Sequence, residues 1–396
     1  MKAVKISEHV YWVGVIDWNL REFHGYSTKR GSTYNSYLIM AEKPTLVETV
    51  KAPFKDEMLE RIASVIDPKD IKYIVSGHAE MDHSGSIPHM IDLIKPEKVV
   101  ASTMGVKALQ DHFHLTHPII PVKDGDTLSL GNMELKFLET RMIHWPDSMF
   151  SYLAKDELLF SQDAFGMHLA SSERFADEVA HDVRLEETAK YYANIILPYS
   201  SFVLKLIERW KGINLNVKFI ATDHGPIWRD GGAEIIPLYE KWALQKPEKK
   251  AVIIYDTMWK STEAMANEIA GGLIEEGVET VVLPLAASSR SDVALHVLSA
   301  GAVFIGSPTL NNNIFPSVAD SLVYLKGLRP KNKIGAAFGS YGWGGEALEQ
   351  LNQWMKDIGI ELVSDGVKVK YVPREEDLVK CFELGRDAAA RLKELV

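Results

Sequence analysis

Two kinds of hydrophobic patterning divide the chain. Up to about residue 230, short alternating or β-rich runs dominate: "VYWVGVI", "STYNSYLIM", "TLVETV", "KYIVSG", "KVVAS", "ELKFLE", "LLFSQ" and "VKFIAT". Between them, "FKDEMLERIASVI" spaces Phe54, Met58, Ile62 and Ile66 for one helix face, and "VRLEETAKYYANIIL" predicts a helix ahead of Pro198. Mixed strands with helices interposed predict layered sheets covered by helices. The polar segment "WRDGGAEIIPLYEKWALQKPEKK", residues 228–250, then reads as a Gly- and Pro-punctuated connection with a short helical piece.

After it the pattern changes. "KKAVIIY", "VETVVLPL", "AGAVFIGS" and "KIGAAFGS" are almost wholly apolar, and helical patterns separate them. In the first of these, "STEAMANEIAGGLIEEG", Met265, Ile269 and Leu273 share a face and Gly277 ends the helix. Apolar strands alternating strictly with helices predict a doubly wound parallel sheet. The expected domains are therefore residues 1–249, connection included, and 250–396.

Composition narrows the classes. The 396 residues are 46% hydrophobic and 25% charged, ordinary for a globular protein, and the formal charge of −10 comes without any basic block. That balance argues against general nucleic-acid or anionic-membrane binding. No apolar stretch reaches membrane-spanning length, and charges interrupt the N-terminal run, so the cytoplasm is the expected compartment. A single cysteine, Cys381, excludes internal disulfides, thiolate zinc sites and cysteine-ligated iron–sulfur centres.

Candidate chemistry concentrates at strand ends. "HAEMDH" follows "KYIVSG" and sets His78, Glu80, Asp82 and His83 within six positions. Ionised carboxylates beside a core are costly unless paired or metal-bound. His144 follows "MELKFLETRMI", Asp163 ends "LLFSQ", and His224 lies in "DHGP" after "VKFIAT". Four imidazoles and three carboxylates suffice for two metal ions with one carboxylate bridging. By contrast, His112, His114 and His117 of "DHFHLTH" have metal-like spacing but no carboxylate partner, and read as surface.

In the second half, "YDTMWKSTEAMA" leaves a strand and opens a helix. Its Thr257, Ser261 and Thr262 hydroxyls, the turn amides and the helix N-terminus together suit a phosphate. There is no Walker lysine and no G-x-G-x-x-G, which disfavours ATP and dinucleotides. "GSPTLNNNIFP" and "GSYGWGGEA" are two further small, polar loops at strand ends, and Tyr341 and Trp343 could stack on a flat ring. The candidate contacts are Thr257, Met258, Trp259, Lys260, Ser261 and Thr262; Pro308, Thr309, Leu310, Asn311 and Asn312; and Ser340, Tyr341, Gly342, Trp343 and Gly344.

"HAEMDH" resembles the metallo-β-lactamase signature His-x-His-x-Asp-His, except that Glu80 stands where the second histidine would be. That exchange, with His144, Asp163 and His224 downstream, is the pattern of the flavodiiron proteins, and the three-loop half resembles flavodoxin. A hard anionic oxygen favours iron or manganese over zinc, and zinc has no redox chemistry. The resemblance implies an α/β chain, an N-terminal αββα metallo-β-lactamase-like sandwich followed by a flavodoxin-like sheet. It implies FMN and two irons, one held by His78, Glu80 and His144, the other by Asp82, His83 and His224, with Asp163 bridging. "EFHGYSTKRGSTYNSYLI" resembles the family's N-terminal loop, which sets His24 and Tyr26 near the substrate. The implied activity is reduction of dioxygen to water or of nitric oxide to nitrous oxide. Rubredoxin or a flavin reductase would be the donor, and the active form a homodimer or a dimer of dimers. The competing reading is a zinc hydrolase with a flavodoxin-like accessory domain.

Overall fold

A computed structural model describes residues 1–213 and 215–396. The chain divides into two compact units. The first takes Met1–Phe23, Thr28–Tyr192 and Tyr199–Glu240; the second takes Lys241–Val396 with two short segments, His24–Ser27 and Ala193–Pro198. The strand opening the second unit's main segment runs Glu248–Tyr255, so the expected boundary at 249/250 falls inside it.

The first unit is two sheets face to face. One has seven strands, from Val4–Lys5 at one edge through Tyr37–Ile39, Thr45–Val47, Tyr73–Ser76 and Lys98–Ser102 to Ile119–Val122. The other has five: Thr127–Ser129, Glu134–Glu139, Met149–Leu153, Leu158–Gln162 and Phe219–Thr222. Side chains alternate across each strand. Val75 faces the core between the sheets with Trp12, Val47, Phe137 and Phe160. Its neighbour Ile74 faces outward, under the helices Lys55–Ala63, Ile87–Ile94 and Thr103–Phe113, with Met58, Ile62, Met90 and Leu109. The first of these helices stops at Ala63, so Ile66 of the expected apolar stripe lies beyond it. The other predicted helix, His181–Tyr191, continues as a π-helical turn, Tyr192–Ile196. The strand Met149–Leu153 was not anticipated, because all five of its positions are buried and its polar Ser151 breaks the apolar run.

The second unit is a parallel sheet in the order Glu279–Pro284, Glu248–Tyr255, Ala300–Gly306, Lys333–Tyr341 and Ile360–Leu362, with helices between successive strands. That order, second-first-third-fourth-fifth, is the flavodoxin arrangement. On one face, Ile253, Phe304, Ala336 and Phe338 pack under the helices Ser261–Glu275 and Glu375–Lys393. The short segments are tied in by polar groups. Ser27 donates its N–H to Ser291 Oγ at 3.0 Å, and the Asn194 side chain reaches Ser291 O at 3.2 Å. Tyr324 Oη in turn donates to Asn194 Oδ1 at 2.7 Å. No helix among the described residues is long and apolar enough to cross a membrane.

Those two helices meet at glycines. A Cβ on Gly272 would stand 2.0 Å from Phe382 O, and one on Gly385 2.3 Å from Ile269 O. Both obstacles are backbone, which cannot rotate away. Gly272→Ala gains about 1 kcal/mol of helix propensity but forces the helices apart at ~1–3 kcal/mol or more. The clash should win, lowering the urea midpoint of this unit. Gly327, on the helix Pro316–Leu328, has nothing within 4 Å of its would-be Cβ, so Gly327→Ala should raise the midpoint instead. Equal effects at the two positions would refute the close-approach argument.

Candidate metal and flavin sites

The strand Tyr73–Ser76 ends where "HAEMDH" begins. His78 and Glu80 lie two apart in extended chain and so point the same way. Glu80, with φ −60° and ψ 144°, then starts the short helix Met81–Ser84, which turns Asp82 and His83 in another direction. The bend splits one motif into two donor pairs. His144 comes from the connection between Glu134–Glu139 and Met149–Leu153, Asp163 from the end of Leu158–Gln162, and His224 from the end of Phe219–Thr222. Gln162 joins two of these loops, donating through Nε2 to Ile143 O and accepting from Asp163 N through Oε1, each at 2.7 Å.

All seven expected residues converge. His78, Glu80, His144 and Asp163 form one group, with one ligand atom from each within 4.8 Å of the others, and Asp82, His83 and His224 form a second. Asp163 faces both. Its Oδ2 is 3.0 Å from His144 Nε2 and 3.4 Å from His78 Nε2, while Oδ1 is 3.2 Å from His83 Nε2 and 3.4 Å from His224 Nε2. Both Asp82 carboxylate oxygens, Asp163 Oδ1 and the His83 nitrogens are buried without a hydrogen-bond partner. They approach within ion-pair range yet miss hydrogen-bond directions, as lone pairs do when aimed at a shared cation. The donors fit a pair of metal ions.

A second layer fixes the rings. His78 Nδ1 is 3.2 Å from Asp147 Oδ2, which also accepts from Ala79 N at 2.6 Å. His83 Nδ1 is 3.4 Å from Asp223 Oδ2, and His224 Nδ1 donates to Thr33 O at 2.6 Å. For His78 and His224 the Nδ1 is thus occupied, which leaves Nε2 for a metal. Burial pulls the His78 pKa down, but hydrogen bonds to Asp147 and Glu80 outweigh it and leave it well above the ordinary value. His83 is likewise raised despite burial, chiefly by the charge of Asp82. Burial pushes Asp163 up, yet the surrounding imidazoles hold it well below the carboxylate range. Asp223, pushed up by burial, reaches about 7.

Asp147, Asp223 and Glu48 escaped the sequence reading. The first two sit beside ligands, in "HWPDS" and "DHGP", where an extra acid was a usable signal. Glu48 accepts from Gly77 N, next to His78 in the chain, and its only mark was an acid ending the apolar run "TLVETV". His112 and His114 are exposed and His117 is partly exposed, and none joins a ligand group among the described residues. His24, exposed, and Tyr26, buried, fall in the segment His24–Ser27 that belongs to the second unit.

In the second unit the three expected loops line a cavity of about 490 Å³, a size usual for a cofactor. Its walls are Met258, Trp259 and Ser261, then Pro308, Thr309, Leu310, Asn311 and Asn312, then Ser340, Tyr341, Gly342, Trp343 and Gly344. Trp259 and Trp343 stand 89% and 87% exposed, free to cover a planar ring. Thr257, Lys260 and Thr262 lie beside the cavity but do not line it. Thr262 Oγ is 3.2 Å from Ser340 Oγ, Lys260 takes a left-handed φ of 67° at the helix start, and Thr257 Oγ is buried without a partner. An unsatisfied hydroxyl at a helix N-terminus fits a phosphate. Tyr371 and Val372 complete the wall and were missed. They follow the strand Val367–Lys370, whose alternating charges disguised its pairing with Lys333–Tyr341.

Residues 33–225 match the ODP family beta lactamase domain and residues 253–385 match flavodoxin. The chain is 46% identical over 395 residues to a nitric oxide reductase of Moorella thermoacetica, covering 99% of both chains. It is also 46% identical over 397 residues to a rubredoxin-oxygen oxidoreductase of Megalodesulfovibrio gigas, again covering 99% of both. The solved flavodiiron protein of Giardia intestinalis superposes with a TM-score of 0.96 at 36% identity, over 100% of this chain and 98% of that one. Two domains in this order, similarity along the whole length and a histidine–carboxylate site with Glu80 in place of an imidazole agree with one another: the chain belongs to the flavodiiron protein family.

Proposed function

We propose that this protein is an oxidoreductase that passes electrons from an external donor through FMN to a diiron site, where dioxygen or nitric oxide is reduced. The observation that carries the reading is the seven-donor cluster, with Asp163 presenting one oxygen to each group of ligands. His78, Glu80 and His144 would hold one iron and Asp82, His83 and His224 the other. When bound, the irons supply two electrons and FMN two more, enough to take dioxygen to two waters, while one pair takes two nitric oxides to nitrous oxide and water.

The chain's own contribution is placement and charge. Three ligand carboxylates, backed by Asp147 and Asp223 behind the imidazoles, favour the higher positive charge of oxidised iron. Asp147 and Thr33 hold the His78 and His224 rings in one tautomer, so neither must turn as charge changes. A zinc hydrolase has no need of the hard oxygen of Glu80. In the second unit, Thr257, Ser261 and Thr262 would take the FMN phosphate, and Tyr341 and Trp343 would cover its ring.

Electrons must come from another molecule. Cys381 is the one thiol, fully buried and pushed up by burial to about 12, so the chain offers no thiolate iron centre. Rubredoxin is the favoured donor, since one relative is named for it, with a flavin reductase as the other choice. We place the reaction in the cytoplasm and in a head-to-tail homodimer, alone or paired as a dimer of dimers, in which each flavin serves the partner's irons. Each site opens at the strand ends of its own compact unit, and two-fold pairing would supply both contacts at once.

Purified protein should contain about two irons and one FMN per chain, and its reduced form should be reoxidised by dioxygen or nitric oxide in anaerobic stopped flow. Asp163→Ala removes an anionic donor from both groups. It should lose iron and gas reduction yet keep flavin, whereas zinc with hydrolytic activity would sink the reading.

The phosphate contacts are worth roughly 1–2 kcal/mol each. Thr257→Ala with Thr262→Ala should therefore weaken FMN binding by about one and a half to three orders of magnitude and leave iron in place. Co-assembly of that chain with Asp163→Ala tests the dimer. Mixed dimers should recover about half of native activity, and mixed dimers without recovery would confine electron transfer to one chain.

A further inference from the structure

A cleft of about 370 Å³ in the first unit belongs neither to the ligand cluster nor to the flavin cavity. One wall is the helix Ser200–Gly212. Its Val203 and Ile207 are buried, and Phe202, Lys205, Leu206 and Arg209, spaced i, i+3, i+4 and i+7, present an adjacent face to the cleft. The other wall is the end of Glu134–Glu139 and the chain that follows it toward His144.

The charges in this cleft do not cancel. Arg209 grips Asp124 with both carboxylate oxygens at 2.7 and 2.9 Å, and Arg141 reaches Glu139 at 2.8 Å. Both acids are thereby matched to arginines. Lys205 has no carboxylate within ion-pair range among the described residues; its ammonium lies 5.7 Å from the Phe202 ring. Three cations thus face two carboxylates, in a protein whose formal charge is −10. The floor is apolar, from Phe202, Leu206 and Ile143, and Phe202 leaves 38% of its surface exposed. Thr140 also lines the cleft, and its buried hydroxyl has no hydrogen-bond partner.

We propose that this cleft binds a small organic anion, a carboxylate or phosphate ester on an apolar body of about six carbons. The anionic head meets Lys205, with Arg141 beside it, and the body covers Phe202 and Leu206. A cation rim over an apolar floor selects against both a bare ion and a neutral lipid-like molecule, because each leaves half the surface unmatched. The site has a short path to the metal ligands. Ile143 precedes His144, and its carbonyl is the one held by Gln162, beside Asp163. An occupant therefore packs against the segment that presents one iron ligand and supports another.

The test uses the whole protein and three probes: hexanoate, hexyl phosphate and hexanol, titrated by calorimetry and by ligand-observed NMR. One of the anions should bind saturably at a single site, at least about tenfold tighter than hexanol, and tighter in low salt than in high. The preferred anion tells a carboxylate site from a phosphate-ester site. Lys205→Glu reverses one rim charge at an exposed position and should weaken anion binding on the order of tenfold. Phe202→Ser should weaken both anions and leave the salt dependence intact. Iron and flavin content should stay unchanged in both variants. No saturable binding of either anion, equal binding of hexanol, or binding indifferent to Lys205→Glu would overturn the proposal.

Discussion

The constraint on which the first unit depends is the mutual repulsion of three clustered carboxylates, two of them buried and the third partly so. Glu80, Asp82 and Asp163 approach one another through four imidazoles, and two more acids, Asp147 and Asp223, stand behind the rings. Unit charges about 4 Å apart at an effective dielectric near 20 repel by about 4 kcal/mol per pair. No packing arrangement would gather so many acids without positive charge to hold them. The raised imidazole pKa values are the same fact seen from the base side: neighbouring carboxylates hold His78 and His83 well above the ordinary value despite burial. A cation pair of high charge relieves both at once, which is why redox metals suit this cluster and why its second layer is acidic.

That layer also explains how irregular backbone can hold ligands in register. The loop after Tyr73–Ser76 is tied at nearly every residue. Glu48 takes Gly77 N, Asp147 takes Ala79 N, Ser84 Oγ donates to Ala79 O at 2.7 Å, and Thr49 N donates to His83 O at 2.9 Å. Gly77 leaves no room for change, since a Cβ there would stand 2.7 Å from both Glu48 Oε1 and Met149 O. The ligands sit on loops, yet the loops are held as firmly as strands.

The second unit solves a different problem with different means. Its site is a neutral, open cavity, walled by exposed indoles and by loops of small residues at the ends of parallel strands. Its lining offers small residues and aromatic faces and carries no charged side chain.

The sequence by itself determined the order and type of the two domains and picked out the seven candidate ligands that the fold brings together. Period-two alternation marks half-buried strands such as Glu134–Glu139, and unbroken apolar runs mark parallel strands such as Ala300–Gly306. Ligand residues stand out because an acid or imidazole at a strand mouth is expensive without a function. The family resemblance implied how those residues divide into two groups, but only the tertiary structure supplied the physical cause. The division depends on the bend at Glu80 and on Asp163 reaching both ways, and neither is a local property. It also brought Glu48 to Gly77 and Asp147 to His78, contacts between segments 29 and 69 positions apart. Tyr371 and Val372 reach the flavin cavity because Val367–Lys370 pairs beside Lys333–Tyr341, a register set by the sheet edge and by no residue within the strand itself. Long-range pairing carries no mark in a short window of sequence, because its energy comes from partners that folding alone brings near.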